Sequence, residues 1–180
     1  SDLDEIPNLE NINFKVIKNK IILFNQKMFY YKFNLLHETI NWFGSKSCKM
    51  KDLISPQWLR NIKDRKYPLW RIDTLFSKKK YHDIYIVNDG GWHFTKIKTP
   101  EEIHKTLKSY THHLEFEQSN IGLDDIKKMV NEKKPYYDLS VDQTKDKTKS
   151  SVKLKTANLN ELPIYIQKNK DKFSSWIVKN

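Results

Sequence analysis

This chain of 180 residues has one cysteine, four glycines, three arginines and no long apolar run. With Cys48 alone, no disulfide can form within the chain and a cysteine-based zinc site is excluded. No stretch approaches the ~18 consecutive apolar residues of a membrane-spanning helix. No segment here reads as a signal peptide, and no Asn-X-Ser/Thr acceptor occurs. The expectation is a soluble protein in a reducing, cytoplasmic compartment, without a transmembrane segment in these residues. The scarcity of glycine beside abundant lysine, asparagine and isoleucine reads as a compositional bias.

What is present is charge and aromatic mass. Lys and Arg total 33 against 22 Asp and Glu, a net charge of +11. Such a balance attracts polyanions: nucleic acid, anionic lipid or a phosphorylated ligand. The excess is almost all lysine and is spread along the chain. Arg60, Arg65 and Arg71 alone offer the planar fork suited to bidentate phosphate or guanine contacts, so no specific nucleic-acid partner is expected. Aromatic residues make up 13%, too many for a disordered chain. The length fits one domain with a real core.

Periodicity and turn chemistry predict the elements. Leu9, Ile12 and Val16 recur at helical spacing, which predicts a short helix from about Asn8 to Lys18. "KIILFNQKMFYYKFNLL" reads as one or two strands, and "TINWFGSKSCKM" as another that begins at an exposed Trp42. In "ISPQWLRNIKDR", Ser55 caps a helix whose first position is Pro56. "KYPLWRIDTLF" reads as loop, and "YHDIYIVNDGGWHF" as a strand running into Gly90-Gly91. Thr99, Pro100 and Glu102 form a capping box for a helix with Ile103, Leu107 and Tyr110 on one face. "GLDDIKKMVNEKK" adds an amphipathic helix. "DLSVDQTKDKTKSSVKLK" reads as a loop ending in a weak strand, and a last helix is entered through Pro163. The fold class is α/β, one domain over residues 1–180, with strands first and helices later.

Three groups of residues carry possible chemistry. Asp2 and Asp4, in an extended segment, would point to one face and offer oxygens to a hard cation such as Mg2+ or Mn2+; a solvated acidic turn is the plainer reading. In "GGWHFTKI", paired glycines let backbone approach a ligand, Trp92 supplies a flat face and His93 a switchable donor or metal ligand; the plainer reading is a core Trp-His pair. In "SYTHHLEF", His113 and Glu115 share a face if the segment is extended, or cap a helix end.

Taken in order, "SDLDEIP", "FYYKFNLL", "WFGSK", "GGWHFT", "SYTHHLEF" and "ELPIYIQKNKDKF" resemble glycosyltransferase family 17, the β-1,4-mannosyl-glycoprotein 4-β-N-acetylglucosaminyltransferases and their relatives. The resemblance spans nearly the whole chain and rests most on "SD-x-DEIP" and "GWHF[ST]". It implies a GT-A-like fold, a Rossmann-type mixed sheet flanked by helices. It also implies a divalent metal and inverting transfer of a sugar, GlcNAc by family expectation, from a UDP-sugar donor to a glycan acceptor. Asp2 and Asp4 would fall on the metal-binding Asp-X-Asp, with His93 completing the metal shell or holding the diphosphate. Inversion needs one general base, for which Glu115, then Asp89, then Glu5 are the candidates. Trp92, His93, Trp42, His113 and Glu5 would contact substrate.

Two departures stand against the family pattern. The doubled His112-His113 leaves the alignment of the His-X-Glu segment open by one residue, and "KIKTPEE" replaces glycine-rich sequence after the Trp-His-Phe. Family members also carry their first strands and uridine-binding surface before the Asp-X-Asp. The chain therefore reads as the C-terminal part of such a catalytic domain, lacking its N-terminal strands, and inactive alone if those strands are essential. The competing reading is a non-catalytic carbohydrate- or polyanion-binding α/β domain.

Overall fold

The computed structural model describes residues 1–10, 12–109, 121–137 and 151–179. Among these residues there are eight strands: β1 (Glu5–Pro7), β2 (Ile21–Phe24), β3 (Gln26–Tyr30), β4 (Leu35–Trp42), β5 (Lys46–Cys48), β6 (Ile84–Val87), β7 (Gly91–Thr95) and β8 (Lys155–Thr156). They form sheets ordered β1-β7-β3-β4-β8 and β5-β2-β6. The helices are α1 (Pro56–Asn61), α2 (Pro100–Ser109), α3 (Leu123–Asn131) and α4 (Ile164–Lys168). The class is α/β. The residues gather into two compact units, Ser1–Lys27 with Asn41–His93 and Met28–Ile40 with Phe94–Asn180.

In the first unit β2 is the middle strand, antiparallel to β5 and parallel to β6. All four of its residues are buried, as a strand covered on both faces requires. One face packs Ile21, Leu23 and Ile84 against Trp58 and Ile62 at α1 and its end. The other packs Ile22 and Phe24 with Ile17, Ile12 and Val87. Helix α1 starts where Ser55 Oγ accepts from Trp58 N at 3.0 Å, with proline at its first turn. Trp58 then donates its indole N–H to Lys78 O at 2.9 Å and to Tyr81 Oη at 3.0 Å.

The second unit holds an aromatic core. Phe94 packs on Phe29 and edge-on to Phe33, which in turn meets Phe173. Tyr31 is fully buried; its hydroxyl accepts from Tyr136 N at 2.7 Å and donates to Lys134 O at 3.0 Å. Burial pushes that hydroxyl's pKa well above the usual phenol value. Helix α2 has the expected capping box: Glu102 N donates to Thr99 Oγ1 at 3.3 Å and Thr99 N to Glu102 Oε2 at 2.9 Å. Ile103 and Leu107 form its buried face, and Ile126 that of α3. Strand β4 pairs antiparallel with β8.

Two expectations from the sequence are overturned. No helix forms over the described residues between Asn8 and Lys18; a turn at Phe14–Val16 stands there. Asn8 and Asn13 accept from the backbone N–H groups of Glu10 and Lys15 through their own side chains, a local bond that competes with helix. Leu9 and Val16 consequently face solvent. Trp42 ends β4 and does not begin a strand, and it is partly buried. Among the described residues, no helix is long and apolar enough to cross a membrane.

Candidate functional site

The first unit brings together the acidic opening, the end of β4 and the start of β7. Gly91 makes this possible. Strands β1 and β7 are antiparallel with Glu5 opposite His93, Ile6 opposite Trp92 and Pro7 opposite Gly91. Gly91 has φ +127°, and a Cβ there would run into Ile6 O and, at 2.7 Å, Asn8 N. A side chain at this position would therefore push β1 off the sheet. The preceding Gly90 is locked by hydrogen bonds from Asn8 N to its carbonyl and from its own N–H to Asn25 O.

Glu5 organises the cluster. It is buried at 6% exposure, and both carboxylate oxygens are occupied. Oε1 accepts from Trp42 Nε1 at 2.8 Å, and Oε2 accepts from Asp2 N at 2.9 Å. Glu5 N returns a bond to Asp2 O at 3.2 Å. The acidic opening is thus a closed turn, and the extended segment expected from the Asp-X-Asp spacing is not formed. The two aspartates diverge as a result. Asp2 Oδ2 takes Arg60 Nη2 at 2.8 Å, whereas Asp4 Oδ1 sits 3.9 Å from His93 Nδ1.

Trp42, aimed by Glu5, stacks on the His93 ring with centroids 4.5 Å apart and planes 17° from parallel. Gly44 leaves the space for this; a Cβ there would meet the Glu5 carboxylate and the Trp42 indole nitrogen. The His93 side chain is 7% exposed, and its Nδ1 has no hydrogen-bond partner among the described residues. Burial pulls the imidazole pKa below its ordinary value, against the opposing charges of Asp4, Glu5 and Asp2. The result is a neutral ring with an orphaned polar atom aimed at a carboxylate that is half exposed.

Chemically, Asp4 Oδ1 and His93 Nδ1 are a carboxylate oxygen and an imidazole nitrogen 3.9 Å apart, both of kinds that occur among metal ligands. Among the described residues, no group of three or more His, Cys, Asp or Glu side chains is placed to hold a metal. Asp2 is therefore not gathered into the same donor set as Asp4 and His93.

Other candidates lie elsewhere or serve otherwise. Trp92 lies beside His93 on β7, and its carbonyl accepts from Gln26 Nε2 at 3.2 Å. Gln26 Oε1 in turn accepts from Ser45 N at 3.3 Å. Asp89 is exposed, has φ 49° and lies 3.9 Å from Lys27 Nζ; no described contact joins it to the Glu5 cluster. With both oxygens already accepting, Glu5 positions Trp42 and is unsuited to taking a proton from an incoming hydroxyl. His113 and Glu115 fall outside the described residues.

Against models of protein families, curated proteins and solved structures, the chain has no match. Sequence reasoning missed Arg60 and Gly44 as members of this site. Gly44 stands in "WFG" directly after β4, where a glycine beside a tryptophan signals a close approach. Arg60 sits in the last turn of α1 and carries no comparable signal.

Proposed function

We propose that the chain carries part of the active site of a metal-dependent inverting glycosyltransferase, which moves a sugar, GlcNAc by family resemblance, from a UDP-sugar donor to a glycan acceptor. One observation carries this reading: the Asp-X-Asp turn holds Asp4 beside the buried, unpartnered Nδ1 of His93, under the stacked Trp42. The expected GT-A arrangement belongs to the same proposal.

In this reading Asp4 and His93 would hold a divalent ion, which would supply positive charge to the diphosphate leaving group. Arg60, held by Asp2, is the guanidinium of the acidic turn and would supply positive charge to a diphosphate bound there. Glu5 keeps Trp42 flat over His93, which excludes water from one side of the imidazole and holds its orientation. Burial keeps His93 unprotonated, the state a metal ligand requires. Proton removal from the acceptor hydroxyl would fall to a carboxylate outside this cluster, with Glu115 first and Asp89 second as the candidates the sequence offers.

Calorimetric titration of UDP with and without Mn2+ tests the proposal. Binding should require Mn2+, and Asp4→Asn or His93→Gln should weaken Mn2+ affinity by about tenfold or more, at the level of ligand-sphere changes. Nucleotide binding that ignores metal, or sugar binding with no nucleotide requirement, would replace the enzyme by a carbohydrate-binding module.

A further inference from the structure

The segment from Arg60 to Lys80 carries eight basic and two acidic residues, a net charge of +6. Within it, Leu69, Trp70, Ile72, Leu75 and Phe76 are 70–86% exposed. Exposed single hydrophobic residues are ordinary, whereas five large ones within eight positions form a patch that marks an interaction surface. We propose that this loop is a membrane-docking element, which inserts its apolar side chains among the headgroups of an anionic bilayer.

Three observations favour lipid as the occupant. First, four backbone N–H groups of the loop are satisfied within it. Arg71 N donates to Pro68 O, Thr74 N to Arg71 O, Leu75 N to Ile72 O and Ser77 N to Thr74 O. Such local bonds lower the cost of moving the turn toward the less hydrated headgroup boundary.

Second, the loop is braced from its polar side. Arg71 grips Asp73 through Nε and Nη2, at 2.8 and 2.7 Å, and Lys80 Nζ reaches the same carboxylate at 2.7 Å. Those bonds hold the Asp73 pKa well below the usual carboxylate range. The buried Tyr67 ring lies under the cationic groups of Arg71, Arg65 and Lys80. Asp73 is thus neutralised, and the segment's other acid, Asp64, is paired with Lys46 Nζ, so neither carries a free charge that opposes an anionic surface.

Third, further cations flank the apolar run on both sides in the chain. Lys63, Lys66, Lys78 and Lys79 are exposed at the base of the loop. Apolar side chains with a basic rim are what an anionic interface binds, while the core of a protein–protein interface is depleted of lysine.

The test is co-sedimentation of the 180-residue chain with vesicles of phosphatidylcholine alone or with about 30 mol% phosphatidylserine. Pelleting is expected with the anionic vesicles, weakening as salt rises. Brominated phospholipid should quench tryptophan emission in the parent, and Trp70→Phe should remove that quenching. Leu69→Ser/Trp70→Ser/Phe76→Ser should lower partitioning by about tenfold or more, with near-UV circular dichroism unchanged because these side chains are exposed. Lys78→Gln and Lys79→Gln should each cost about fivefold at low salt. Equal pelleting on both vesicles, unquenched tryptophan or a triple serine variant that binds like the parent would overturn the proposal. Self-association that the triple variant abolishes, without vesicle binding, would reassign the loop to a protein partner. The vesicle assay involves no nucleotide or sugar, so its outcome is independent of the transferase reading.

Discussion

The indole of Trp42 lies flat on the imidazole of His93, 4.5 Å between centroids, and a single buried carboxylate, that of Glu5, fixes the indole by its N–H. Glu5 is also the residue opposite His93 in the β1–β7 ladder. One side chain therefore sets the acidic turn, the tryptophan and the register together.

Glu5→Gln tests that arrangement. The two donors, Trp42 Nε1 and Asp2 N, each need an acceptor oxygen, and an amide supplies one. The buried mismatch should cost about 1–3 kcal/mol in urea unfolding, and the Trp42 indole N–H resonance should move. An unmoved resonance would show that the bond does not hold the ring.

Acid should destabilise the fold through His93. Its folded-state pKa lies below 6.5 because burial disfavours the charged ring. As pH falls the unfolded chain takes up this proton first, so stability is full above about pH 6.5 and declines below it. Urea midpoints at about pH 7.5 and about pH 5.5 should differ less in His93→Gln than in the parent. Equal slopes in the two proteins would count against a buried neutral imidazole.

Gly91→Ala should be more harmful than a typical glycine substitution. The residue combines φ +127° with direct apposition to the backbone of Ile6 and Asn8. A loss of more than about 1 kcal/mol is expected, together with faster hydrogen exchange at the amides of β1. Exchange unchanged from the parent would mean that β1 tolerates the displacement.

Trp58→Ala should cost about 3–5 kcal/mol, the range for removing a large aromatic side chain from a core. Trp58 is 7% exposed among Ile21, Leu23, Ile62 and Ile84. Its indole also ties Lys78 and Tyr81 to α1. Trp58→Phe should recover most of the packing and leave the cost of those hydrogen bonds.

Elements whose signals are local were legible from the chain. Ser55-Pro56 and Thr99-Pro100 with Glu102 announce helix starts because the capping partners lie within three residues of one another. The β-branched and aromatic run through residues 21–30 announced β2 and β3 for a similar reason. The helix expected from Asn8 to Lys18 failed because asparagine side chains bond the local backbone, while of the periodic residues only Ile12 finds a surface and Leu9 and Val16 stay exposed. The Asp-X-Asp spacing was visible, yet its extended geometry was not realised, since Glu5 draws the Asp2 backbone into a turn.

Sequence alone determined the α/β class, the capped helices, the basic charge and the aromatic mass, because these depend on composition and on neighbours a few positions apart. Tertiary structure alone decided that Glu5, Trp42 and His93 meet, that Asp2 belongs to Arg60 and Asp4 to His93, and that Gly44 is needed to admit them. Those contacts join residues tens of positions apart through strand pairing and burial. A polar atom's partner in such a core is set by which strands lie side by side, and no spacing along the chain records that.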